Sequence, residues 1–133
     1  MSTRAFQVGC LWMWLAVAVS GFAQEGHPLA GTWFGDWGPT ATERHRVTLV
    51  LQWDGNAVTG LINPGPDSTQ IGSVLVDVTN WTVRIDADAV DVAGHPVHIA
   101  VEGRLEDIGS PHRSMAGTWR QGSVTANFKL TRD

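Results

Sequence analysis

Two copies of one short pattern constrain this chain more than any other feature: Leu29-Ala30-Gly31-Thr32-Trp33 near the start and Met115-Ala116-Gly117-Thr118-Trp119 near the end. In each copy the glycine and tryptophan stand two apart. On an extended strand they share a face, and the wide indole can lie over a residue that has no side chain. Much of what lies between follows a two-residue period. His45 to Trp53 puts Val47, Leu49, Leu51 and Trp53 on one face and Thr48 and Gln52 on the other. Asp54-Gly55-Asn56 makes a tight hairpin into a third strand from Ala57 to Asn63. Residues 69 to 77 form a fourth strand of mixed parity, because Ile71 and Leu75 compete with Val74 and Val76 for the inner face.

The fifth strand reads Trp81, Val83, Ile85 and Ala87 inward, and the sixth Val97, Ile99, Val101 and Leu105. The second glycine-tryptophan pattern forms the seventh strand, and Gln121-Gly122 turns the chain into the eighth, with Val124, Ala126, Phe128 and Leu130 inward. No helical period of useful length interrupts the series. The eighth strand runs almost to Asp133, and an apolar terminal strand left unpaired would offer free N–H and C=O groups to other chains. Pairing it with the first strand removes both edges. The expected fold is therefore all-β, an eight-stranded antiparallel up-and-down β-barrel, with a β-sandwich as the alternative.

The barrel occupies only part of the 133 residues. Arg4 precedes an apolar run from Leu11 to Val19, and Ser20, Gly21 and Ala23 follow it, the pattern of a secretory signal peptide over residues 1–23. The run is too short to span a bilayer and nothing basic follows it, and Cys10 comes before the apolar run instead of after it, which excludes a lipid anchor. The expectation is export to the periplasm or medium, with residues 24–133 as one domain and no transmembrane segment in the mature chain. That domain has no cysteine, so its core alone must hold it. Loss of Arg4 leaves eight basic residues against thirteen acidic ones, and no basic run, which argues against nucleic acid as a partner.

Gly31-Thr32-Trp33 on the first strand and Arg132 at the end of the last resemble the lipocalins, and the calycin superfamily more widely, whose first strand carries a Gly-x-Trp and whose last ends in an arginine packed on that tryptophan. The resemblance implies a barrel closed by Gly31, Trp33, Gly117, Trp119 and Arg132, with the Arg132 guanidinium stacked on Trp33 and donating to carbonyls of the closed end. The resemblance says little about the ligand. Leu29 to Trp33 is similar, too, to the opening of avidins, but Phe34-Gly35-Asp36 follows in place of the asparagine and serine that begin a biotin site there.

Loops of an up-and-down barrel alternate between its ends. Residues 38 to 44, 63 to 68 and 88 to 96 share one end and mark it as the mouth, with Trp37, His45, Asp67, Asp88, Asp91 and His95 near it. By parity the interior holds Trp33, Trp37, Trp53, Trp81, Trp119 and Phe128. Such aromatics line an apolar pocket or plug it. Trp33 and Trp119 are expected in the core. The candidate ligand contacts are Trp37, Trp53 and Trp81 with His45, Asp88 and His95, although Trp53 sits beside the opposite end.

Metal ligands do not converge, because His95 and His98 are three apart and point to opposite faces of a strand. The mature chain has no cysteine nucleophile and no Gly-x-Ser-x-Gly elbow, and Asp86, Asp88 and Glu102 face outward beside Arg84 and Arg104. No catalytic residue, metal or cofactor is assigned. Three functions remain: a secreted lipocalin-like binder of a small apolar or aromatic molecule, a solid-core barrel docking on another exported protein, and an enzyme of unknown reaction. A void of several hundred Å³ bounded by tryptophans would favour the first, and a filled interior the second.

Overall fold

A computed structural model describes residues 27–133, so the signal-peptide expectation lies outside the described residues. Eight strands follow in order: β1 (Gly31–Gly38), β2 (His45–Trp53), β3 (Val58–Ile62), β4 (Thr69–Asp77), β5 (Thr82–Val90), β6 (Pro96–Glu106), β7 (Ser114–Gln121) and β8 (Val124–Arg132). Each pairs antiparallel with the next, and β8 returns to β1 to close the barrel. The closing register sets Trp33 opposite Arg132, Gly35 opposite Leu130 and Trp37 opposite Phe128. The expected all-β barrel is the fold, and the sandwich is not. No helix of the described residues is long and apolar enough to cross a membrane.

Alternation places the core as the sequence implies. Val47, Leu49 and Leu51 of β2, Ile99, Val101 and Leu105 of β6, and Ala126, Phe128 and Leu130 of β8 are buried on the inner face. Trp33 and Trp119 are among the largest fully buried side chains. At roughly 25 cal/mol per Å² of apolar surface, these two indoles anchor the two halves of the core.

Three local expectations are corrected. In β4 a bulge lies between Ile71 and Ser73, so Ile71 points inward above it and Val74 and Val76 below it, while Leu75 is 63% exposed. One extra residue reverses the parity of everything after it, which is why the pattern looked mixed. Trp81 is not in β5. It occupies the turn before it, with φ of 56°, and is only partly buried. Finally, β5 runs on to Val90, so the connection to β6 is the short turn 91–95. Asp91 Oδ1 accepts from the amides of Ala93 and His95 there, and the Asp91 and His95 backbones pair at 2.9 Å.

The two repeated glycines are needed for reasons other than indole cover. At Gly31, φ is +133° and the Arg132 side chain crosses the position a Cβ would take. At Gly117 a Cβ would strike the Glu102 carbonyl and the Gly103 backbone of β6. Gly103 itself lies opposite Gly117 and leaves room for the tip of the Phe128 ring.

Candidate functional site

The closed end is built from the segment ahead of β1. Leu29 is fully buried there, the Trp33 indole N–H donates to its carbonyl at 2.9 Å, and its own amide donates to His27 Nδ1 at 3.1 Å. His27 lies against Trp53 with ring centroids 4.6 Å apart, and partial burial pushes its pKa below the ordinary histidine value. Arg113 donates to the carbonyls of Pro28 at 2.7 Å and Ser110 at 3.3 Å. Arg132, opposite Trp33 on the closing strand, has its Nε buried without a hydrogen-bond partner among the described residues while its chain crosses Gly31. Burial first, and the neighbouring Arg132 charge second, hold the Arg113 pKa below its ordinary value.

The opposite end is the three-loop end. The loop after β1 is pinned by Arg44, which donates to Asp36 at 2.7 Å, to the Gly38 carbonyl at 2.8 Å and to Asn127 at 2.6 Å. Behind it the aromatics form one stack. Trp37 lies parallel to Trp119 at 5.5 Å, His45 covers Trp37 at 4.6 Å, and Phe128 meets Trp119 edge-on at 6.1 Å. Trp119 also donates from its indole nitrogen to Gln121 Oε1 at 3.1 Å. Such offset and edge-on pairs each add about 0.5–1.5 kcal/mol beyond area burial.

The candidate ligand residues therefore separate. Trp37 and His45 are brought together at the three-loop end, and His95 stands on the 91–95 turn at that end. Trp53 closes β2 and Trp81 precedes β5, so both lie at the opposite end, against His27 and the β4–β5 turn respectively. Asp88 is on the outer face of β5, not at the rim, because β5 continues two residues past it. There His98 of β6 is gripped between Asp88 at Nδ1 (2.9 Å) and Asp86 at Nε2 (3.1 Å). The hydrogen bond from Asp88, then that from Asp86, raises the His98 pKa above its ordinary value. The carboxylates sit at different ring nitrogens, an arrangement that holds an imidazolium, and among the described residues no three such side chains converge on a metal position.

Sequence reasoning offered the outer face or rim for docking but did not find its groove. A groove of about 620 Å³ crosses β4 to β7, lined by outward side chains that include Leu75, Arg84, Glu102, Arg104, Ala116 and Thr118. Arg84 bridges Asp86 at 3.2 Å and Glu102 at 3.8 Å along it, and all three remain partly exposed, so the pairs add little stability. A second groove of about 400 Å³ runs beside exposed Phe34 on β1 and β2. The only signal in the sequence was a run of outward residues with small side chains on β7, which parity alone does not mark as concave.

Fold and site define the class as a closed, eight-stranded antiparallel β-barrel with an aromatic stack at the three-loop end and a grooved outer wall. No protein-family profile, curated protein or solved structure matches the chain.

Proposed function

We propose that this protein is an exported, lipocalin-like barrel that acts as a docking module, engaging another exported protein through the outer groove of β4 to β7. The single observation that carries this reading is where space and aromatics lie. A hollow of a size that takes side chains of a partner is on the wall, whereas at the three-loop end Trp37 is stacked on Trp119. The groove offers exposed Leu75 as an apolar contact, with Arg84, Glu102 and Arg104 of both signs around it, the mixture of anchor and polar rim that protein interfaces use. The lipocalin-like part of the proposal rests on Trp33 facing Arg132 across the closing strands.

A small apolar or aromatic ligand at the three-loop end is the second reading. The observation in its favour is that Trp37 is only half-buried and His45 is exposed, so a ligand ring could replace the imidazole on the indole face.

Crosslinking in the cell envelope tests the docking reading. A photoreactive residue replacing Glu102 should capture a discrete protein other than this chain, and the same residue replacing Gln52, on the far wall, should not. Equal capture from both walls, or none from either, would overturn it.

A further inference from the structure

The β3–β4 ladder does not run the whole height of the barrel wall. The β3–β4 ladder consists of Leu61 opposite Gln70 and Ile62 opposite Thr69 and no further pair, whereas β4 pairs with β5 from Ile71 down to Asp77. The ladder ends just before the bulge that follows Ile71. Below it, Val58 to Gly60 of β3 pair only with β2, and the other edge of β4 has no strand partner among the described residues. Val74 and Val76 record the opening: they point inward and pack on the core, yet are only partly buried. Every second residue of such an edge turns its N–H and C=O to solvent, and natural edges are usually guarded by lysine, proline or a covering loop. Gly72 to Val78 contains neither lysine nor proline, and Leu75 and Val78 are 63% and 64% exposed.

We infer that this edge is a homodimer interface, in which β4 of a second copy pairs antiparallel with β4 about a twofold axis at Leu75. A row of alternating donors and acceptors is a template for another extended backbone, and the sequence of β4 suits its own copy. With Leu75 opposite itself, Val74 meets Val76 on the inner face. On the outer face Ser73 meets Asp77, so each carboxylate faces a hydroxyl and no like charges oppose one another. The twofold arrangement is closed, so it ends at two copies and joins β5-β4 of each into one sheet. It uses the backbone edge and is tested apart from the proposed docking site, although Leu75, Val76 and Asp77 border both.

The test uses the purified chain alone, so it can fail while the envelope crosslinking succeeds. Sedimentation velocity should show a concentration-dependent monomer–dimer equilibrium. Leu75→Lys, which sets two ammonium groups face to face, should weaken it by about tenfold or more with an unchanged circular dichroism spectrum. Ser73→Lys, which sets an ammonium opposite Asp77 of the second copy, should strengthen it at low salt and lose that gain at high salt. In a Cys10→Ser background, Leu75→Cys should form disulfide-linked dimers under mild oxidation, because residues directly opposite across strands have Cβ separations of about 4.5–5.5 Å, near disulfide range. A chain that stays monomeric while Leu75→Cys links no faster than Gln52→Cys would overturn the inference. So would a dimer indifferent to Leu75→Lys, or an edge that pairs only with a foreign extended peptide.

Discussion

Trp119→Ala should destabilise the barrel by about 3–5 kcal/mol, the usual cost of removing a buried tryptophan. The side chain is 1% exposed, and its loss strips two neighbours at once: Trp37 loses its parallel partner and Phe128 its edge-on one. Because single domains are stable by only about 5–15 kcal/mol, the variant should keep the fold but unfold at a much lower urea concentration with an unchanged slope. Trp37→Ala removes a half-buried ring from the same stack and should cost clearly less. Equal losses would mean that the two indoles are equally sealed from water, contrary to the packing described.

Gly117→Val should prevent folding altogether. The new Cβ would enter the space of the Glu102 carbonyl and the Gly103 backbone, atoms held in the β6 ladder that cannot swing aside as a flexible side chain could. Gly103 cannot retreat inward either, because the Phe128 ring already rests against it. Relief would require breaking the β6–β7 pairing beside Trp119, so the expected result is a chain with no cooperative unfolding transition and little soluble yield. Gly109→Ala is the control, since no atom outside its chain neighbours lies within 4 Å of its Cβ position, and it should be nearly neutral. A folded Gly117→Val of ordinary stability would refute the close approach of β6 and β7.

How much of this was legible in the sequence depended on whether each strand obeyed one period throughout. In β2, β6 and β8 it does, and their inner faces read directly from the residues, except that Val124, expected inward, is exposed at the start of β8. In β4 the bulge reverses parity halfway, so Leu75 and Val76 cannot be assigned without knowing where the extra residue falls. Trp81 looked like a strand residue because nothing in an indole announces a positive φ. The pairing of His98 with Asp86 and Asp88 depends on the β5–β6 register, which sets Asp88 opposite His98, and composition carries no register. The same is true of the site. Alternation showed that Trp33 and Trp119 face inward, but the stagger between β1 and β7 decides that Trp37 lies on Trp119 at the end that the loops made look open. Likewise Arg113 joins the closed end because its loop delivers it to the Pro28 carbonyl, a contact between residues far apart in the chain.

The most direct test of the central claim, that recognition occurs on the wall and not at the aromatic stack of the three-loop end, is a titration of the individual indole N–H resonances with a panel of fatty acids, haem and aromatic metabolites. The account predicts that the Trp37 and Trp119 signals stay in place at ligand concentrations well above the micromolar range. A ligand that moves both signals saturably, and loses that effect in Trp37→Ala, would contradict the account and return the binding site to the interior.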